Sequence, residues 1–381
     1  MFKRFDTKAV TSALEADFRF KSIMRRIKEN GSLLCPYDGI SICFDGPPSS
    51  YFLRIVMPAV RNDRHIIGKR RVYKYLLKHP LFIVRWEPLT MFGPAPYTSI
   101  KINPDRNNIT PSQLLDLIKF IMGDYFTASV SMFDEKVDIE DYTPMSVAER
   151  LYVAHKRNIV DYKQKRQTYY IGSRKGMQVK VYDKAKLLKL KNKKLTRIER
   201  TVKYSRLFRP TITYFLLSPR TDMFDGVVMV DINKLDGRLK IMKLLKQKGI
   251  FMAAYKKLSP SERTALKRHH AFIHPRINLR KLASDDLEQW LRSSPNLPIK
   301  IAIETCYKHH LHQLLSMTPV SNGSKYKLQP QVYNGIRQWG ESRAIRILRN
   351  SLHVSFPSPA TNFYGLQSDV VDAMELIALI R

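Results

Sequence analysis

Acidic residues are scarce in this chain. Its 381 residues include 33 Asp plus Glu against 66 Lys plus Arg, a formal net charge of +33. Cysteine is scarcer still. Cys35, Cys43 and Cys306 form no Cys-x-x-Cys pair and no zinc-ligand spacing. Such a sparse, odd-numbered set argues against a disulfide-stapled secreted domain and fits a reducing cytosol, so a cytoplasmic location is expected. No apolar run of about 18 residues and no signal-peptide pattern occurs, which speaks against a membrane partner. There is no Gly-x-x-x-x-Gly-Lys-Ser/Thr phosphate loop, so neither an ATPase nor a built-in helicase is expected. Internal repeats and low-complexity blocks are also missing.

What is present is a core and a basic surface. Hydrophobic residues make up 44% of the chain, which excludes a disordered basic tail. The excess charge must therefore cover a folded body, as in Lys69-Arg70-Arg71, Lys163 to Arg166 and Lys184 to Lys194. A folded surface of this potential is expected to bind a polyanion. Aromatics, 10% of the chain, can interleave stacking surfaces for single-stranded nucleic acid. Ribosomal-type structural proteins share the charge but are usually shorter. Nucleic acid is the expected partner.

The length allows two to three domains. Residues 1–30 read as helical. Segments 38–45, 51–58, 81–86 and 98–102 read as strands. Thr110 with Pro111 opens a helix whose buried stripe is Leu114, Leu117, Ile118 and Ile121. A strand over 130–139 and a helix over 143–157 follow. Beyond Phe208, two strands (211–217 and 227–231) give way to helices at 236–248, 259–270, 284–293 and 300–316. Residues 320–331 resemble a linker, and helices close the chain near 330–350 and from 367. The expected class is α+β: an antiparallel-sheet domain with flanking helices over 1–215, which the resemblance described below implies is catalytic, a mainly helical DNA-binding or accessory region over 216–320, and a linker with C-terminal helices over 321–381.

The stretch from Gln167 to Lys203 carries the most chemistry. It reads as a strand, a glycine turn, a second strand ending in Tyr182-Asp183-Lys184, a basic linker, and a third strand with Arg197 and Glu199. Period-two alternation puts Lys180, Tyr182 and Lys184 on one face of the second strand, opposite Met177, Val179, Val181 and Asp183. In the third strand, Leu195, Arg197, Glu199 and Thr201 share a face. If the strands pair, a tyrosine, a lysine, an arginine and a carboxylate gather on one surface. A half-solvated β-meander rich in strand-forming tyrosines is the plain alternative.

Tyr170, Gly172 and Ser173, then Tyr182-Asp183-Lys184, then Arg197 and Glu199 follow one another at spacings that resemble the replication-initiation proteins of rolling-circle plasmids. The related relaxases of some integrative conjugative elements share the pattern. An upstream Asp-x-x-x-Asp strand, here Asp134 and Asp138, matches a further element of that trans-acting Rep, or replication initiation factor, family. The likeness spans roughly residues 130 to 203 and departs at Glu135-Lys136, where the family strand is apolar.

The resemblance implies a reversible transesterification of origin DNA, single-stranded or extruded as a hairpin. A tyrosine attacks a phosphodiester, leaves a 5′-phosphotyrosine and frees a 3′-hydroxyl. A relaxase using the same chemistry and a non-catalytic DNA-binding initiator are the alternatives. A phenol of pKa about 10 needs a cation or base to become a nucleophile. Tyr182 is the first choice, with Lys184 as its cation or as proton donor to the leaving oxygen; Tyr169 and Tyr170 stay open. A divalent metal, Mg2+ or Mn2+, is implied, with Asp134 and Glu199 as first ligands and Asp138 as third. Arg197 is expected to pair with a phosphate. Asp183, facing away, is expected to support. Basic residues expected to contact DNA are Arg174, Lys175, Lys180, Lys193 and Lys194. A host helicase, a polymerase and a second copy of the chain are the further partners the resemblance allows.

His310-Leu311-His312 matches the metal-binding signature of another class of nicking enzymes. It sits in a helical pattern, where residues two apart diverge, and follows the tyrosines instead of preceding them. His269, His270 and His274 lack the glycine-rich context and central Asn of a His-Asn-His nuclease. A tyrosine recombinase would need an Arg, a His-x-x-Arg and a late Tyr, an order not found here.

Overall fold

Alternating apolar positions build strands that assemble into one long sheet. The strands are β1 (Lys3–Phe5), β2 (Tyr37–Phe44), β3 (Val60–Arg61), β4 (Tyr73–Lys78), β5 (Phe82–Pro88), β6 (Thr98–Ile102), β7 (Ser129–Glu140), β8 (Leu151–Val153), β9 (Lys163–Lys165), β10 (Thr168–Gly172), β11 (Gln178–Asp183), β12 (Leu195–Lys203) and β13 (Val227–Met229). The computed structural model describes residues 3–61, 72–89, 95–154, 163–165, 168–172, 178–190, 193–218, 220–237 and 239–305. Among the described residues, eleven strands join in the order β3-β1-β4-β5-β6-β2-β7-β12-β11-β10-β9, and β13 with β8 forms a small second sheet. In the large sheet β1 runs parallel to β4, and the other neighbours are antiparallel. The class is α+β, as expected.

Helices cover one face of this sheet because that face is apolar. Phe82 of β5 meets Phe20 and Phe52, from the helices Phe18–Glu29 and Ser50–Val56, with ring centroids 6.2 and 6.3 Å apart. Farther along the same face, Tyr37 packs on Trp290 of the helix Leu279–Arg292 at 5.4 Å. Phe133 packs on Phe215 of the helix Ile212–Leu217 at 5.2 Å. Each such aromatic contact adds roughly 0.5–1.5 kcal/mol beyond its buried area. The opposite face of β7, β12 and β11 carries polar side chains.

Caps set several boundaries where the sequence places them. Thr110 and Gln113 form a capping box with Pro111 in the first turn, and Gly123, at φ 89°, ends that helix at Met122. Ser259 and Glu262 do the same for the helix Pro260–Arg268. Residues 1–30 hold two helices, since Asp17 interrupts the pattern and caps the second through Arg19 N and Phe20 N.

Three segments differ from the sequence reading. Residues 51–58 are mainly helix, because Ser49 accepts from Phe52 N and turns an ambiguous apolar run into a helix start. The helix expected over 143–157 stops at Ala148. Leu151, Tyr152 and Val153 form β8 there, all buried and paired with β13. Residues 212–217 are helix instead of strand, since Thr211 accepts from Tyr214 N. Met1–Ser294 form one compact unit and Pro295–Arg381 another. Within the first unit, helices dominate after residue 235, as expected. The linker and closing helices expected after residue 320 lie outside the described residues. Among the described residues, no helix is long and apolar enough to cross a membrane.

His79, in the β4–β5 turn, supplies an acid-sensitive point. Its ring stacks on Phe82 at 4.9 Å and its Nδ1 accepts from Leu81 N at 3.3 Å. Burial pushes its pKa down to about 4. The unfolded chain takes up this proton near pH 6.5 and the folded chain only near pH 4. Stability from this residue is therefore present above pH 6.5 and lost as pH falls toward 4, by at most about 3 kcal/mol. Urea unfolding at pH 7 and pH 4.5 is expected to show that loss in the wild type and a smaller loss in His79→Asn.

Candidate active site

Register across four strands assembles the candidate residues. Asp138 pairs with Arg197, and Arg197 with Tyr182; one row along, Lys136 pairs with Glu199, Glu199 with Lys180 and Lys180 with Tyr170. A third row joins Asp134 to Thr201. The period of two puts all of these side chains on one face. Val137, Ile198 and Val181, on the other face, are buried in the core.

Two clusters result. In the first, the half-buried Tyr182 donates its phenolic hydrogen to Glu199 Oε1, and Lys180 Nζ lies 3.0 Å from Glu199 Oε2. Lys180 is also 3.9 Å from Asp134 Oδ1, which accepts from Thr201 Oγ1, and Lys101 Nζ stands 3.8 Å from Asp134 Oδ2. Burial and the adjacent Glu199 charge push the Tyr182 phenol well above its ordinary pKa, against the pull of Arg197. Burial would lower the Lys180 ammonium, but Glu199 and Asp134 outweigh it and the net shift is upward.

The second cluster surrounds Arg197, which is only 1% exposed. Its Nε and Nη2 donate to the two oxygens of Asp138, each at 2.6 Å. Its Nη1 donates to Asp38 at 2.9 Å and to Asp105 at 2.7 Å. Lys136 joins the cluster, 3.0 Å from Asp105 and 3.4 Å from Asp138. Asp138 is held below its usual range: burial opposes this, but Arg197 and Lys136 prevail. Lys184 Nζ lies 3.9 Å from Asp105, and burial together with Arg197 lowers its pKa. With four of its five N–H groups engaged, Arg197 is positioned to organise carboxylates, and little of it remains to clamp a phosphate.

Asp38 and Asp105 escape a reading by strand period. Asp38 sits in a bulge between Tyr37 and Gly39, where β2 pairs with β7. Asp105 lies in the single turn Pro104–Asn107, whose signal is Asn103 accepting from Arg106 N ahead of a proline. The neighbouring Glu135 faces the other way. It is fully buried, accepts from Phe224 N at 2.9 Å and pairs with Arg200 at 3.1 Å and Arg220 at 3.5 Å. Glu135-Lys136 thus splits between the two faces, each member with its own ion partners.

The remaining candidates separate by face. Tyr169 lies on the back face, with its hydroxyl on Met145 Sδ at 3.1 Å, while Tyr170 shares the row of Lys180 and Glu199. Asp183 turns away and caps the helix Lys184–Leu187 through Lys186 N at 2.8 Å. Beside Tyr182 a groove of ≈ 720 Å³ is lined by Tyr170 and Leu187, by Lys180, Lys186 and Lys189, and by the acidic Asp183 and Glu199. Lys193 and Lys194 are exposed just before β12. Arg174, Lys175, Cys306 and the His310-Leu311-His312 motif lie outside the described residues.

A divalent ion can be tested against this donor set. Asp134 and Glu199 offer hard oxygen donors that face the same cation, the Lys180 ammonium. Gly39 leaves room beside Asp134, because a Cβ there would meet Asp134 Oδ2 at 3.5 Å and Lys101 Cε at 3.0 Å. Mg2+ is commonly held by one or two carboxylates with water and substrate phosphate completing its shell, and these two residues fit that mode. Among the described residues, no group of three or more His, Cys, Asp or Glu could hold a metal by itself. Asp138, the third expected ligand, has both oxygens on Arg197.

No family model matches the chain, and no curated protein matches its sequence. Among solved structures, a rolling circle replication initiator protein from Geobacillus stearothermophilus is similar over 51% of this chain and 85% of its own, at 11% identity and a TM-score of 0.30. So loose a superposition carries no argument about activity.

Proposed function

We propose that the chain is a replication initiator that nicks origin DNA through Tyr182, forming a 5′-phosphotyrosine and a free 3′-hydroxyl. The observation that carries this reading is the hydrogen bond from the Tyr182 phenol to Glu199, set between Lys180 and Arg197 on one polar sheet face. Glu199 is placed to take the phenolic proton as the tyrosine oxygen bonds to phosphorus. As the bond from phosphorus to the 3′-oxygen breaks, Lys184, whose lowered pKa makes it a readier acid, supplies a proton to that oxygen. A bound Mg2+ or Mn2+, held by Asp134 and Glu199, would neutralise charge building on the phosphate. Arg197 keeps Asp38, Asp105 and Asp138 fixed behind the reacting groups. The groove, lined by Tyr170, Leu187 and three lysines beside the acidic Asp183 and Glu199, is suited to a single strand, with bases on apolar faces and phosphates on ammonium groups.

A relaxase would use the same atoms. A binding-only initiator is the competing reading, and one observation favours it: a lysine already compensates the two carboxylates assigned to the metal. The deciding experiment incubates the protein with supercoiled or single-stranded DNA bearing its origin, with Mn2+ or Mg2+. A covalent protein–DNA band on a denaturing gel supports the enzyme; binding without any such band overturns it.

A further inference from the structure

Lys180 is the cation that bridges Asp134 and Glu199, and it is held less firmly than Arg197. Arg197 makes four hydrogen bonds to three carboxylates, whereas Lys180 makes one contact at 3.0 Å and a looser one at 3.9 Å. Its side chain is 27% exposed, while those of Glu199 and Asp134 are 4% and 8% exposed. Two carboxylates so far removed from water need a cation between them. Lys180 supplies it, with Lys101 3.8 Å from the other oxygen of Asp134, and Lys180 also lines the groove beside Tyr182.

We infer that Lys180 is a tethered counter-cation, standing where a divalent ion binds between Asp134 and Glu199 and swinging into the groove when the ion arrives. The inference rests on the reading of those two carboxylates as metal ligands. An ammonium and a divalent ion cannot share that point, since like charges about 4 Å apart repel strongly even at an effective dielectric constant near 20. Metal therefore has to displace the lysine, and the affinity of the wild type for metal is reduced by the work of moving it. In the groove the displaced ammonium would face phosphate, so metal loading and DNA binding would favour each other.

The test needs no DNA and no turnover. Mn2+ binding to the full chain is followed by electron paramagnetic resonance of free Mn2+ and by calorimetry, for wild type, Lys180→Met, and Lys180→Met combined with Glu199→Gln. Lys180→Met is expected to bind Mn2+ at least about tenfold more tightly than wild type, and the double variant to lose that gain. Thermal melts should show Lys180→Met weakened without metal and recovering more with Mn2+ than wild type does. If Lys180→Met proves too unstable to purify, Lys180→Gln replaces it, with the same expectation. Equal or weaker Mn2+ binding by the lysine variants overturns the inference. A tenfold gain in the lysine variants, with no covalent DNA adduct from wild type, would keep the cation site and discard the nicking reading. An adduct from wild type with unchanged Mn2+ affinity in the variants would do the reverse.

Discussion

Tyr182→Phe is expected to abolish the covalent protein–DNA adduct, by more than about a thousandfold, while changing affinity for the same DNA by no more than about twofold. The asymmetry follows from what the hydroxyl does. Removing one oxygen leaves the ring, the strand pairing and the surrounding lysines in place, so the surface proposed to meet phosphate is unaltered. Glu199 loses one donor but keeps Lys180 at 3.0 Å, so the fold should lose only about 1 kcal/mol. The proposed nucleophile itself is gone. Tyr170 is the strongest test of the assignment, since it lies on the same face one strand farther from Glu199. Two strand spacings, roughly 10 Å, separate its row position from Glu199, whereas Tyr182 already donates to that carboxylate. Tyr170→Phe should therefore retain the adduct. A residual adduct in Tyr182→Phe, lost only when Tyr170 is also changed, would move the nucleophile to Tyr170. Tyr169, turned to the back face against Met145, has no such route.

Much of this site was legible because a strand has a period of two. Once β11 and β12 pair, the alternation in Lys180-Val181-Tyr182 and in Arg197-Ile198-Glu199 settles which side chains share a face, and the observed register confirms that grouping. The same reasoning places Asp134 and Asp138 together on β7. Period reasoning fails where the backbone leaves its period or where partners come from afar. Asp38 reaches Arg197 through a bulge, and Asp105 from a one-turn helix 92 residues away in sequence. It was equally blind to the two sides of Glu135-Lys136, whose apolar-strand exception is resolved by Arg200 and Arg220 behind the sheet. Elsewhere a single cap decided between helix and strand. Ser49 and Thr211 turned apolar runs that fit either period into helices.

Those distant carboxylates make Arg197 the second large expected effect. Arg197→Met is predicted to destabilise the protein by about 3–5 kcal/mol, roughly 5–15 °C in melting temperature. The methionine fills most of the space, so the loss is electrostatic: Asp38, Asp105 and Asp138 would face one another with only Lys136 and Lys184 left to compensate them. Asp138, with 25% of its side chain exposed, can recover some hydration, which favours the lower end of that range. Arg197→Lys should fall between, since an ammonium restores the charge but cannot meet both oxygens of Asp138 and reach two further carboxylates. Asp138→Asn should cost less than Arg197→Met, because Arg197 keeps Asp38 and Asp105. Melting temperature and DNA affinity, measured on the same preparations, distinguish two roles for this arginine. An organiser loses stability first, and its DNA affinity follows the folded fraction. A phosphate clamp would keep its melting temperature and lose affinity with a shallower salt dependence, and that result would return Arg197 to the substrate.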